Sequence, residues 1–265
     1  MPARRTWRKT RPGAPPAYYR IEAAGLDWLR VPAGPPVPEV LTVAADRIVL
    51  QRVSTLAPTA AGCEDFGRRL ALLHQHPASF GCAPAGVQQS SGYIADLPLP
   101  FGRWDDFGTF YAEARVAPYV RVLADGGGLG GSSAATFEAL IDALSDPSSG
   151  VSGPGEPASR IHGDLWSGNV LWGADPDNGQ VTGWLIDPAA HGGHRETDLA
   201  MLALFGLPGL DHVLAGYDQV APLAPGWRSR TALHQVHPLL VHAVLFGGGY
   251  LARARSAAVA ALRAV

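Results

Sequence analysis

Apolar residues along this chain recur mainly at the spacing of helices, with a few short runs that suit strands. Apolar positions three or four residues apart predict amphipathic helices over residues 18–29, 64–74, 104–122, 134–144, 198–205, 211–220 and 227–265. A glycine run at residues 247–249 breaks the last of these into a pair. Short apolar runs predict strands over residues 47–53, 170–172 and 181–186. The pattern therefore predicts an α+β fold with an α-rich second half.

Segments rich in proline, glycine and serine separate these elements. Residues 55–62 are predicted to be a turn-rich linker between two lobes. We place the lobe boundary near Leu56, which gives a small first lobe over residues 1–56 and a larger helical lobe over residues 57–265. Residues 80–102 are predicted to be a long ordered loop that carries recognition groups.

Composition narrows the class of protein. With 47% hydrophobic and 17% charged residues, the chain is globular rather than disordered. A formal net charge of −2 gives no reason to expect a nucleic-acid partner, and no apolar run is long enough to predict a membrane span.

Cys63 and Cys82 lack the spacing of a zinc or redox motif, so we expect reduced thiols in a cytoplasmic protein. Lys9 is the one lysine among 21 basic residues, which suggests a position that needs a compact ammonium.

The candidate chemistry lies between residues 160 and 187. Asp164 and Asn169 are five residues apart in a glycine-containing loop that leads into the first strand of a predicted hairpin. The second strand ends at Asp187, and the hairpin brings this residue back near Asn169. Phosphoryl transfer from ATP needs a carboxylate to accept a hydroxyl proton, and an amide oxygen and a second carboxylate suit Mg²⁺. The alternative is an Asx-rich loop that only closes the hairpin.

Longer motifs around these residues resemble a known family. The segments HGDLWSGN (162–169) and IDPAAHGGHRETDLAML (186–202) resemble the fructosamine, or ketosamine, kinases, whereas protein kinases carry HRD and DFG. FGRRLALLH (66–74) and WDDFGTFYAEAR (104–115) fall in family order, so the resemblance covers nearly the whole chain. It implies a two-lobed protein-kinase-like fold that uses ATP and Mg²⁺ to phosphorylate a ketosamine hydroxyl. The implied substrate is a fructosamine or ribulosamine, either free or on a glycated protein lysine, and the implied process is protein deglycation.

The resemblance also implies roles for residues outside the loop. Lys9 and Glu22 match the lysine and the helix glutamate whose ion pair holds the lysine against the α- and β-phosphates. Asp198 resembles a kinase carboxylate that braces the backbone of the catalytic loop, and the alternative is an acid at a helix N-terminus. We expect His162 to shape that loop rather than to act as an acid or base. The hinge that meets the adenine corresponds to Gln51, Arg52 and Val53. Glutamate is usual at the first hinge position, so Gln51 departs from the family pattern.

The first residues of the chain depart from the kinase pattern. Only eight residues precede Lys9 and none is glycine, whereas a kinase needs two strands and a glycine-rich loop there. We therefore expect a shortened first lobe without a phosphate lid, or a chain that starts late, with weak or absent activity in this form. Two alternatives follow: a small-molecule kinase of aminoglycoside or choline type, and a catalytically impaired relative that acts as a binding protein.

Two further segments suggest sites that we do not favour. The glycine-rich segment over residues 126–131 follows a helix and not a strand, so we expect a flexible loop rather than a nucleotide cradle. His191 and His194 lack an obvious third ligand, so we expect a structural role for them rather than a metal site.

Overall fold

The computed structural model describes residues 5–264, so the outermost residues of the two predicted lobes, 1–56 and 57–265, lie outside the described residues. The strands are β1 (Thr6–Thr10), β2 (Val40–Val43), β3 (Arg47–Gln51), β4 (Ser91–Ile94), β5 (Leu97–Pro100), β6 (Ser159–Ile161), β7 (Val170–Ala174), β8 (Val181–Leu185) and β9 (His191–Gly193). The helices are α1 (Tyr18–Leu29), α2 (Ala60–His74), α3 (Phe107–Phe110), α4 (Ala117–Asp125), α5 (Gly131–Ser145), α6 (Arg195–Leu204), α7 (Leu210–Val220), α8 (Trp227–Phe246) and α9 (Tyr250–Arg263). The predicted α+β composition with a helical second half is confirmed.

The first part of the chain forms a three-stranded antiparallel sheet in the order β1–β3–β2. Lys9 on β1 pairs with Ile48 on β3. Ile48 is fully buried, and it joins the same apolar cluster as Leu26 and Leu29 of α1. Burial of each such side chain stabilises the fold by roughly 1.5–3 kcal/mol. This shared cluster fixes α1 against the sheet and brings Glu22 to Lys9.

Two short antiparallel pairs frame the loop over residues 162–169. β7 pairs with β8 from Val170 opposite Leu185 to Ala174 opposite Val181, so the predicted hairpin is confirmed. β6 pairs with β9. The loop leaves β6 and enters β7, and Asp187 follows β8. Paired strands therefore hold both the loop and the segment that begins at Asp187.

The helix predicted over residues 104–122 is divided into three parts. The chain runs through α3, a π-helical segment over Tyr111–Val116, and α4. Tyr111 is buried in the π-helical segment and its hydroxyl donates to the Leu233 carbonyl (2.9 Å). Because a π-helical turn holds more residues than an α-helical turn, it shifts which side chains face the core. A search for the α-helical period cannot detect that shift.

Three other elements differ from the prediction. The segment predicted as a loop over residues 80–102 contains the β4–β5 hairpin, paired from Ser91 opposite Pro100 to Ile94 opposite Leu97. Helix α2 begins earlier than predicted, within the expected linker, because the Thr59 hydroxyl caps it. Strand β2 has no counterpart in the prediction. None of the helices over residues 5–264 combines the length and hydropathy needed to cross a membrane.

Candidate active site

Asp164 and Asn169 meet within the loop that joins β6 to β7. The Asn169 side-chain amide donates to the Asp164 carbonyl (2.8 Å) and to the Asp164 carboxylate (3.1 Å). Both donor contacts use Nδ2, so Oδ1 of Asn169 remains the oxygen that could bind a metal. The loop thus holds the Asp164 carboxylate and the Asn169 side-chain amide next to each other.

The Asp164 carboxylate lies in an environment that disfavours its charge. Burial raises the pKa of Asp164, the hydrogen bond from Asn169 lowers it, and the nearby Asp187 carboxylate raises it. The net result is a pKa of about 7. A carboxylate with a raised pKa accepts a proton more readily than an exposed one.

Lys9 bridges the sheet, helix α1 and the segment after β8. Its Nζ lies 2.7 Å from a Glu22 carboxylate oxygen and 2.9 Å from an Asp187 carboxylate oxygen. Burial lowers the pKa of Lys9, but the two carboxylates raise it and hold it above its ordinary value. The Lys9–Glu22 pair was expected, whereas the bond to Asp187 was not. Asp187 itself has a φ of 53°, a backbone conformation that is rare for a residue with a side chain.

Asp198 holds the backbone of the loop over residues 162–169 through two hydrogen bonds. Its carboxylate accepts from the amide N–H groups of His162 (2.7 Å) and Gly163 (2.9 Å). The His162 ring bonds to the Ile186 carbonyl through Nε2 (2.8 Å) and accepts from the Asp164 amide at Nδ1 (3.2 Å). Burial lowers the pKa of His162, so the neutral ring can link the loop to the residue that follows β8. These contacts are consistent with the support roles expected of His162 and Asp198.

Two residues that the sequence analysis did not single out extend this support. His74 at the end of α2 lies 3.2 Å from the Asp198 carboxylate through Nε2 and 2.9 Å from the Tyr217 hydroxyl through Nδ1. With a carboxylate as acceptor on one side, Nε2 carries the proton and Tyr217 donates to Nδ1. The available signal was a histidine on the apolar face of a predicted helix. Its partners could not be inferred, because they lie more than a hundred residues away.

A cavity of about 510 Å³ opens beside the first sheet, and the expected hinge residues line it. Leu171 and Ile186 supply apolar surface on the opposite side. These hinge residues are Gln51, Arg52 and Val53. The Gln51 and Arg52 amides donate to the carbonyls of Glu39 and Arg5, so those two donors are already used within the protein.

A second cavity, of about 310 Å³, lies on the other side of Asp187. Asp164 and Asn169 face it, together with aromatic side chains that include Tyr93 and Trp166. Asp187 lines both cavities. Asp187 therefore lies between a largely apolar cavity and a smaller one. The smaller cavity is lined by aromatic side chains and by Asp164, Asn169, Lys9 and Glu22.

The HGGH segment contributes buried histidines away from both cavities. The ligand atoms of His194, Glu196 and His234 lie within 4.8 Å of one another. The Arg230 guanidinium already donates twice to Glu196, at 2.6 and 3.0 Å. A cation therefore already neutralises this carboxylate, as expected of a structural cluster.

Comparison with known proteins agrees with this geometry. Residues 3–264 match the family model described as fructosamine kinase. A candidate ketoamine kinase of Thermus thermophilus is 31% identical over 256 residues, covering 93% of this chain and 86% of its relative. The crystal structure of a candidate fructosamine-3-kinase from Thermobifida fusca is 45% identical and superposes with a TM-score of 0.86, covering 97% of this chain and 85% of the other.

More distant structures share the fold alone. A choline/ethanolamine kinase family protein from Mesorhizobium loti is 15% identical, with a TM-score of 0.61 over 98% of this chain and 86% of the other. The predicted two-lobed, protein-kinase-like fold is confirmed by these neighbours. The family match and the relatives above 30% identity make the chain a phosphotransferase.

Proposed function

Because this chain belongs to the fructosamine kinase family, we propose that it transfers the γ-phosphoryl group of ATP to a hydroxyl of a ketosamine. The observation that carries the proposal is the meeting of Asp164, Asn169 and Asp187 where two cavities adjoin. One cavity suits a nucleotide and the other a small polar acceptor. A kinase needs that arrangement, because its nucleophile and its phosphate must approach in line.

On the acceptor side, Asp164 is proposed to orient the attacking hydroxyl and to accept its proton. The hydroxyl oxygen then bonds to the γ-phosphorus as the bond to the leaving ADP oxygen breaks. Asn169 holds the Asp164 carboxylate in position through its side-chain amide (3.1 Å). Positioning of this kind supplies most of the catalysis in phosphoryl transfer.

On the nucleotide side, the proposed substrate is Mg·ATP. Asn169 Oδ1 and the Asp187 carboxylate are hard oxygen ligands, which suit Mg²⁺, and the ion would neutralise charge on the phosphates. Lys9, held by Glu22, lines the smaller cavity next to Asp187, and it is proposed to contact the α- and β-phosphates where they reach Asp187. The proposed adenine contacts come from the segment Gln51, Arg52 and Val53.

The proposed acceptor is a sugar joined to an amine, such as a fructosamine or ribulosamine, either free or on a glycated protein lysine. Tyr93, Phe101 and Trp166 line the acceptor cavity. Aromatic faces pack well against the apolar face of a sugar, while its hydroxyls reach polar groups such as Asp164. Removal of sugar from glycated protein in the cytoplasm is the proposed role.

Turnover of Mg·ATP with fructosamine and ribulosamine tests the proposal, and phosphorylated product is measured by mass spectrometry. We expect Asp164→Asn to lower turnover by about a thousandfold, because it removes the proton acceptor. Asp177→Asn, an exposed change at the tip of the β7–β8 hairpin, is the matched control and should leave turnover unchanged. Chelation of Mg²⁺ should abolish turnover in every variant.

Choline and aminoglycosides are run in parallel. Phosphorylation of one of these in preference to ketosamines would contradict the proposed substrate while keeping the kinase chemistry. If the chain binds a ketosamine but transfers no phosphate from Mg·ATP, it acts as a binding protein and the proposed reaction is wrong.

A further inference from the structure

A continuous set of aromatic rings leads outward from the acceptor cavity. We call it the aromatic belt, and it consists of Trp166, Phe205, His242, Phe246 and Tyr250. Trp166, His242 and Phe246 line the cavity itself. Phe205 and Tyr250 lie one ring further out, with ring centroids 4.9 and 5.1 Å from His242. The belt thus joins the cavity to the surface of α9.

Arg253 covers the outer end of the belt. Its guanidinium carbon lies 6.0 Å from the Phe205 ring centroid and 5.6 Å from that of Tyr250. Two ring contacts hold the guanidinium in place, and stacking leaves its N–H edges available for hydrogen bonds.

No carboxylate in residues 5–264 pairs with the Arg253 side chain. Arg11, which stacks on a residue that lines the same cavity, provides a contrast. It also stacks on a ring, that of Tyr18, but it pairs with Asp96 at 2.7 Å. Arg253 is therefore a positioned cation, exposed to solvent, that has no anionic partner within the described chain.

Building on the proposed function, we propose that Arg253 binds a carboxylate carried by the amine part of the ketosamine. The preferred acceptor is then the ketosamine of a free amino acid. Planar guanidinium and carboxylate groups pair through two parallel hydrogen bonds, which a neutral amide cannot reproduce. The sugar would occupy the cavity beside Asp164, and the amine substituent would lie along the aromatic belt.

The exit from the cavity leaves room for such a substituent. Phe246 is 67% exposed, which offers an apolar surface to methylene groups. Gly247 and Gly248 follow it with φ values of 62° and 58°, and nothing lies within 4 Å of where a side chain would begin. The backbone therefore turns away there without blocking the path from the cavity to Arg253.

The test compares matched ketosamines that differ in one charge. Fructose is joined to aminocaproate or to aminocaproamide, and to glycine or to glycinamide, and kcat/KM is measured for each. We expect the protein to prefer the carboxylate member of at least one pair by about tenfold, as for one charge-assisted hydrogen-bonded pair. The preference should lie in KM and should shrink as salt concentration rises.

Arg253→Gln should reduce the preference for the carboxylate to about equal use of both members of a pair. Arg255→Gln, on the same helix and directed to Thr136, is the matched control and should keep the preference. Equal use of both members by the unaltered protein would overturn the inference and leave the proposed function intact. A preference that survives Arg253→Gln would also overturn it. If no ketosamine is phosphorylated, the proposed function fails, and equal calorimetric affinities within each pair then reject the Arg253 site separately.

Discussion

At the scale of single residues, Lys9 joins three separate parts of the candidate site. Its ammonium contacts Glu22 on α1 and Asp187 after β8, so one side chain joins the sheet, a helix and the segment after β8. An ammonium donates in three directions from one atom, whereas a guanidinium spreads its donors over a rigid plane. This geometry explains why a chain that otherwise uses arginine has a lysine here.

We predict that Lys9→Met lowers kcat/KM for ATP by about a hundredfold, because Glu22 and Asp187 lose their shared cation and the phosphates lose a contact. Lys9→Arg should recover less than a tenth of the lost activity. Initial rates at varied ATP concentration measure both effects. Arg8→Met is the control, since the adjacent side chain points to the opposite face of β1 and is exposed. A similar loss in Arg8→Met would show that the strand, and not the ammonium, is responsible.

Sequence reasoning at this scale worked where residues share a motif. Asp164 and Asn169 are close in the chain, so their contact follows from loop length, and the hairpin returns Asp187 to them. The bond between Lys9 and Asp187 joins residues 178 apart, and that between His74 and Asp198 joins residues 124 apart. Such contacts depend on how whole elements pack, and residue spacing does not contain that information.

At the scale of elements, helices α2 and α7 cross at unusually close range. A side chain at Gly67 would overlap the Val213 carbonyl, and one at Gly216 would overlap the Glu64 carbonyl. The two glycines therefore let each helix approach the backbone of the other. This contact positions α2, which ends at His74, and α7, which carries Tyr217.

We predict that Gly67→Ala lowers the free energy of unfolding by about 2–4 kcal/mol, because backbone cannot move aside as a flexible side chain can. Gly131→Ala, at the start of α5 where no atom lies within 4 Å, should change it by less than about 1 kcal/mol. Urea denaturation of both variants checks the difference. Equal stability of the two variants would mean that the crossing relaxes without cost.

Element prediction succeeded or failed for physical reasons. The helix predicted over residues 18–29 is observed as Tyr18–Leu29, because one of its faces is buried from Tyr19 to Leu29. The β4–β5 hairpin was missed because Pro98 and Pro100 argue against strand structure. Both strands of a two-stranded hairpin are edge strands, and edge strands tolerate proline. Only the tertiary position of the hairpin reveals that it is a strand pair.

At the scale of the whole molecule, several buried histidines make stability depend on pH. Burial, and then the charge on Arg115, lowers the pKa of His191 to about 3 and that of His237 well below its ordinary value. Burial and the neighbouring His234 do the same for His194. The unfolded chain takes up these protons near the ordinary pKa of about 6.5, before the folded chain does. The stability that these buried histidines give the folded protein is therefore fully present above about pH 6.5, and it is lost progressively as the pH falls below that value.

We predict that the free energy of unfolding falls by roughly 1–2 kcal/mol for each of these histidines between pH 7 and pH 5. Chemical denaturation at several pH values measures the slope. His237→Gln should reduce the slope by about one proton, whereas His212→Gln, at a half-exposed position, should not change it. Burial raises the pKa of Glu196, but its hydrogen-bonded neighbours lower it to about 2. The stability that Glu196 contributes is complete above its unfolded value near 4.5 and is lost only below that pH, so Glu196 cannot produce this slope. A flat profile between pH 7 and pH 5 would contradict the prediction.

The whole-molecule architecture was the most predictable level. Motifs in family order implied the kinase-like fold, and neighbours at 45% and 15% identity share it. The division of the cleft into two cavities could not be predicted, because it depends on side chains from both sheet and helices that meet only after folding.

The position of Asp187 in the wall of both cavities has a thermodynamic consequence. A ligand that draws Lys9 or a metal ion towards one side changes the charge that the other ligand meets, so the two binding equilibria are coupled. Free energy around a closed cycle sums to zero, so whatever factor the nucleotide imposes on acceptor affinity, the acceptor must impose on nucleotide affinity. Under the proposed function, binding of ATP therefore changes the affinity for the ketosamine, and binding of the ketosamine changes the affinity for ATP by the same factor.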